Sequence, residues 1–233
     1  METILILRGW RSEVKNWRQF VEILKGRGYK VYTPDLPGFG ENPAPLRAWS
    51  IDDYLDWVRD YCEKQNLSQF FLLGHSFGGS IAVKYSLKFS RNVKKLILMD
   101  SAGIRRKSKR KTILKKIVHI FNRLSFLPFY SQARRLAYKV FFNRSDYVFS
   151  EGTMKETYLK TINEDVSGLL YRISIPTLIV WGQNDKLTSL KDARLFKEKI
   201  LHSKLEIIPQ VGHNPHKESP ERASEIVLNF LKG

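Results

Sequence analysis

The stretch QFFLLGHSFGG, Gln69 to Gly79, constrains this chain more than any other. An apolar run of strand type leads straight into the pattern G-x-S-x-G, formed by Gly74, Ser76 and Gly78, and a helical pattern follows. A serine on so sharp a strand-to-helix turn projects its hydroxyl above the sheet. Glycine on either side removes the Cβ atoms that would clash there. The segment therefore reads as strand, elbow and helix, with Ser76 at the bend as a candidate nucleophile.

The rest of the chain repeats the strand and helix alternation. Strand candidates are TILIL (Thr3 to Leu7), KVYTP (Lys30 to Pro34), QFFLLG (Gln69 to Gly74), KKLILM (Lys94 to Met99), PTLIVW (Pro176 to Trp181) and KLEIIP (Lys204 to Pro209). Near-continuous apolar runs of this kind suit a parallel sheet covered on both faces. Val14, Trp17, Val21 and Leu24 recur at helical spacing, and Ser50 opens a further helix with Asp53 as its capping-box partner. Another helix follows Gly78 and Gly79, one lies near Asp192 to Ile200, and the last runs from about Pro220 to Leu231. The order predicts a doubly wound α/β sheet. From Ile104 to about Asp165 only helical runs occur: Ile113, Ile117, Ile120 and Leu124, then Ala133, Ala137 and Val140, then a helix near Thr153 with Glu156 as its capping partner. This predicts an all-helical insertion between two strands.

A serine hydroxyl is a weak nucleophile until a base takes its proton, so a histidine and an orienting carboxylate are required. WGQND places Asp185 just beyond PTLIVW, and VGHNPHKESP places His213 just beyond KLEIIP. With Ser76 they lie at the carboxyl ends of parallel strands, where open α/β sheets bind ligands, and in the chain order Ser, Asp, His. Asp100, also at a strand end, competes for the acid role; Asp185 is preferred because it follows the Trp-Gly turn, with Asp100 left to brace the next loop.

These motifs, together with PDLPGFG (Pro34 to Gly40) and LMDSAG (Leu98 to Gly103), resemble the α/β-hydrolase fold family over nearly the whole chain. By that resemblance, RGW at Arg8 to Trp10 takes the place of the family's His-Gly-x turn. The backbone N–H groups of Trp10 and Phe77 would form the oxyanion hole, each donor worth roughly 3 to 4 kcal/mol. Arg8 departs from the usual histidine. The resemblance also implies two strands ahead of that turn, whereas here the turn begins at residue 8. The expectation is therefore a trimmed sheet of six strands, all parallel. The core would comprise residues 1–103 and 169–233, with 104–168 as a helical cap.

Other residues have plainer readings. His75 is assigned to packing or loop bonding and His216 to pocket lining or surface, since His213 and His216 have no third ligand cluster with them. Cys62, the lone cysteine, is a small buried hydrophobe and excludes an internal disulfide. Of Phe121, Phe126, Phe129, Phe141, Phe142 and Phe149, about half serve as the cap's own core. The others, with Trp10 and Phe77, would wall an apolar pocket.

The net charge of +17 is unevenly placed: Ile104 to Gly168 holds fifteen Lys or Arg against five Asp or Glu. The run SAGIRRKSKRKTILKK (Ser101 to Lys116) invites readings as a nucleic-acid arm, a lipid-facing helix or a solvated face. A complete triad weighs against a nucleic-acid module, and the solvated face is the default, with Ile113, Leu114, Ile117 and Val118 turned to the cap core. An anionic lipid surface, or an acidic carrier protein docking on the basic cap, stays open as a partner. No apolar stretch approaches the ~20 residues of a membrane span, and METILIL lacks the basic flank of a secretory signal, so a cytoplasmic location is expected.

The expected activity is hydrolysis of small-molecule carboxylic esters, some of them anionic, through an acyl-enzyme, with no metal or cofactor. The alternatives are hydrolysis of a carbon–carbon bond beside a ketone, as in ring-cleavage-product hydrolases, and lactonase, thioesterase or lysophospholipase action. A serine nucleophile argues against epoxide hydrolase and dehalogenase chemistry, which uses aspartate in this fold.

Overall fold

The computed structural model describes residues 1–105 and 150–233. Six strands form one sheet: β1 (Thr3–Leu7), β2 (Lys30–Tyr32), β3 (Phe70–His75), β4 (Val93–Met99), β5 (Thr177–Gly182) and β6 (Ser203–Ile208). Their order is β2-β1-β3-β4-β5-β6, and every pairing is parallel. The trimmed, all-parallel sheet expected from the early turn is what the chain forms. Strands β3 and β5 are buried along their whole length, as the apolar runs require. The edge strands differ: β2 keeps only three residues, and β6 exposes Lys204, Leu205, Glu206 and Ile207 to differing degrees. An edge strand has one unpaired flank, and charged residues there discourage edge-to-edge pairing.

Helices cover both faces. On one pack α2 (Ile51–Lys64), α3 (Phe77–Lys88) and α5 (Leu190–Lys199), with Tyr54, Leu55, Val58, Ile81 and Phe196 in the core. On the other lie α1 (Arg18–Gly26) and α7 (Pro220–Lys232), burying Trp17, Phe20, Leu24, Val227 and Leu231. Helix α2 begins with the expected capping box, Ser50 exchanging hydrogen bonds with Asp53. The first helical segment departs from the sequence reading. Val14 to Trp17 form a 3₁₀ turn with Val14 exposed, and Phe20 takes the core position.

Between β4 and β5 the described residues contain α4 (Gly152–Thr161) and a short 3₁₀ turn. Helix α4 starts one residue before the expected Thr153, with Glu151 at its N-cap and no side-chain cap. The expected Thr153–Glu156 capping box is absent because the Thr153 hydroxyl instead donates to the Pro45 carbonyl at 2.7 Å. The expected helices at 113–124 and 133–140, and the phenylalanines from Phe121 to Phe149, lie outside the described residues. The base of α4 is tied to the core: Glu164 accepts from the Ile51 N–H at 2.7 Å and from Lys84 at 2.6 Å.

Candidate active site

The elbow is built by close packing of three strand ends. Ser76 sits at φ +49°, a left-handed conformation that costs energy for a non-glycine residue and persists only where its surroundings hold it. Its N–H donates to the Met99 carbonyl at 3.1 Å, and its carbonyl accepts from Ala102 at 2.9 Å. A Cβ on Gly74 would lie 2.6 Å from the Gly78 carbonyl, and one on Gly78 would strike the backbone of Leu7. Gly74 is thus required by the close approach of α3, and Gly78 by contact with the end of β1.

The three sequence-predicted triad residues come together above this bend. Ser76 Oγ lies 2.9 Å from His213 Nε2, and His213 Nδ1 lies 2.7 Å from Asp185 Oδ2. The Asp185 side chain is fully buried, and that of His213 is 13% exposed. Burial pushes the Asp185 carboxyl up, but the hydrogen bonds it shares with His213 and Thr188 help to outweigh it, and the group is held at about 2. The backbone N–H groups of Leu187 and Thr188 add donors to Oδ1 at 2.7 and 3.0 Å, and the Thr188 hydroxyl donates to Oδ2 at 2.6 Å. Asp185 is therefore a fixed anion that sets the tautomer of His213, leaving Nε2 free to accept from Ser76.

The turn Gly9–Trp10 borders Ser76, since a Cβ on Gly9 would lie 3.2 Å from that of Ser76. Phe77 is the first residue of α3, so its N–H has no acceptor within the helix. Arg8 braces the turn where the family's histidine would stand. Its guanidinium is buried, donating to the Ser12 carbonyl at 2.5 Å, to the Pro34 carbonyl at 3.2 Å, and to Asp35 in an ion pair. The wall beside it is aromatic: the Trp10 ring meets Phe39, Phe77 and Tyr158 edge-on, with centroids 4.8, 5.2 and 5.1 Å away. Phe39, though part of the PDLPGFG motif, and Tyr158, which arrives on α4, were not singled out as pocket residues in sequence, because neither position shows which neighbours it meets.

Behind the triad, His75 donates from Nε2 to the His213 carbonyl at 2.8 Å, the loop-bonding role expected of it. His216 overturns its expected place in the pocket or at the surface. It is 1% exposed and stacks on Trp17 at 3.7 Å, because the short helix α6 (Pro215–Glu218) turns it inward beneath the His213 loop. Burial lowers the pKa of both rings, His75 to about 3, so both stay neutral. Glu218 was also missed: its oxygens accept from the N–H groups of Gly212 and Asn214 at 2.6 and 3.0 Å, clasping the loop on either side of His213.

Asp100 is not the group that holds His213; it lies beyond Asp185, fully buried, accepting from the Gly182 N–H at 3.0 Å. Asp100, Asp185 and His213 offer metal-type donor atoms within 4.8 Å of one another. Those of Asp185 and His213 are already engaged with each other in the relay described above.

The model of the hydrolase family described as serine aminopeptidase, S33, matches residues 1–220. The chain belongs to this α/β-hydrolase family. It is 27% identical to a 2-hydroxy-6-oxononadienedioate/2-hydroxy-6-oxononatrienedioate hydrolase of Klebsiella pneumoniae, covering 99% of this chain and 87% of that one. It is 29% identical to a 2-hydroxy-6-oxo-6-(2'-aminophenyl)hexa-2,4-dienoic acid hydrolase of Metapseudomonas resinovorans, covering 93% and 78%. Among solved structures, a bacterial membrane phospholipase A superimposes with a TM-score of 0.76 at 25% identity, over all of this chain and 79% of that one. This α/β hydrolase thus resembles proteins named for dienoic-acid hydrolysis and for phospholipase action.

Proposed function

We propose that this α/β hydrolase works by acyl transfer from Ser76 to water. His213 takes the proton of Ser76 as its oxygen attacks a carbonyl carbon, Asp185 holds the imidazole, and the N–H groups of Trp10 and Phe77 receive the oxyanion. His213 then delivers the proton to the departing group. Water, deprotonated by His213, releases the acyl chain as a carboxylic acid and restores Ser76. The observation that carries this reading is the unbroken relay from Ser76 Oγ through His213 to a buried, ionised Asp185.

For the bond cleaved, the reading favoured is the carbon–carbon bond beside the ketone of a ring-cleavage dienoic acid. Support comes from the two curated relatives named for such substrates, which align over 93% or more of this chain. The +17 net charge has the sign that a carboxylate substrate needs. Ester hydrolysis is the second reading, favoured by the phospholipase likeness and by the apolar wall of Trp10, Phe39, Phe77 and Tyr158.

The deciding experiment measures turnover of a 2-hydroxy-6-oxo-dienoate and of p-nitrophenyl esters of graded chain length. Ser76→Ala should lower kcat by about 10⁴-fold or more on whichever substrate is used. Higher kcat/KM on the dienoate supports carbon–carbon hydrolysis, and the reverse ratio supports the esterase reading. Wild type and variant equally inactive on both classes would remove the proposal.

A further inference from the structure

Among the buried titratable groups that the mechanism above leaves unused, Asp100 lies nearest the triad acid. Asp100 follows β4 at φ +41°, a strained conformation for a non-glycine residue, and its side chain is sealed from solvent. One oxygen, Oδ1, accepts from the Gly182 N–H. The other, Oδ2, is buried and receives no N–H or O–H from the described groups. Ligand-type atoms of Asp100, Asp185 and His213 lie within 4.8 Å of one another, so the two carboxyls are neighbours.

Two carboxyls in contact inside a protein cannot both be ionised. Asp185 holds the charge, because it is surrounded by donors: the His213 ring, the Thr188 hydroxyl and two backbone N–H groups. Asp100 has a single backbone donor, and the charged groups that bear on it are both acidic, Asp185 beside it and Glu218 from α6. We infer that Asp100 is a protonated positioning residue whose Oδ2–H donates to Asp185, so that the triad acid is oriented by a second, neutral carboxylic acid. Burial and the Asp185 charge push the Asp100 carboxyl up to about 10, in keeping with this arrangement.

A neutral donor suits the place better than a cation. It fixes the Asp185 carboxylate without cancelling the negative charge that stabilises the imidazolium of His213 during reaction. It also ties the end of β4, which anchors Ser76 through the Met99 carbonyl, to the loop carrying Asp185.

This inference rests on the proposed roles of Ser76, His213 and Asp185, so the test separates the two. Labelling of the wild type by a fluorophosphonate, located at Ser76 by mass spectrometry, is expected; its absence would sink the triad reading itself. With labelling established, Asp100→Asn should keep kcat within about threefold of wild type, because an amide still donates to Asp185 and still accepts from Gly182. Asp100→Leu should lower kcat by about 10- to 100-fold with KM little changed. If Asp100→Asn loses activity as completely as Asp185→Asn, Asp100 works as a carboxylate and the inference fails. Asp100→Leu with wild-type kcat would also overturn it.

Should Asp100→Leu not fold, the stability of Asp100→Asn decides. An acid that stays protonated when folded but ionises when unfolded makes the wild type lose stability as pH rises from about 4, the unfolded value, towards about 10. The Tm of Asp100→Asn minus that of wild type should grow steadily across this window. A difference independent of pH would mean that Asp100 is ionised when folded, contrary to the inference.

Discussion

Single residues beneath the active site are neutral where they would ordinarily titrate. His75 is sealed between Trp17, His216 and the His213 loop, and burial, reinforced by the nearby His213, lowers its pKa to about 3. Unfolding frees it to bind a proton below about pH 6.5, so the wild type should lose stability as pH falls from about 6.5 towards about 3. His75→Gln removes that titration and leaves an amide donor in reach of the His213 carbonyl. The variant should flatten the acid limb by up to about 1.4 kcal/mol per pH unit, measured as Tm or denaturant midpoint against pH. His216 adds loss of the same sign, so some acid sensitivity should persist. At this scale the sequence was legible where a residue belongs to a motif at a strand end: Ser76, Asp185 and His213 meet as their positions foretold. It was not legible where loops distant in sequence meet. The clasp of Glu218 and the proton on Asp100 depend on how the segments after β4, β5 and β6 pack against each other.

At the scale of elements, the elbow is held by neighbours that come from three strands, and substitutions should sort by how closely those neighbours approach. Gly78→Ala places a methyl against the Leu7 backbone, which cannot yield without moving β1. A loss of about 3 kcal/mol in chemical denaturation is expected, together with lost activity. Gly26→Ala, at the end of α1 with nothing within 4 Å of the added atom, should be neutral or stabilising. Equal effects from the two would mean that the elbow is not tightly packed against β1. Buried strands announced themselves in sequence because both faces are covered. The early end of the edge strand β2, at Tyr32 rather than Pro34, and the missing Thr153–Glu156 cap of α4 were not legible; in the second case the Thr153 hydroxyl is drawn to the Pro45 loop.

Over the whole molecule, the basic excess is large enough to draw anions from a distance while adding little to contacts at the reacting carbonyl. Raising salt from about 50 to about 500 mM should increase KM for an anionic substrate by roughly 3- to 10-fold, leave kcat unchanged, and leave KM for a neutral ester flat. Stopped-flow or steady-state titration at several ionic strengths checks this; equal salt dependence for both substrates would remove electrostatic attraction as a role for the charge. The doubly wound architecture was readable from the order of its runs. The strand order was not, because sequence gives the elements but not which edges meet.

The relay also bears on how the protein comes into being. Ser76 reaches its bent conformation only with Leu7 and Met99 beside it, and His213, its proposed base, lies 137 residues further along the chain. A ribosome-bound fragment ending before His213 would therefore carry a serine without its base. Hydrolytic power should appear only once the segment carrying His213 has emerged and packed beside the elbow.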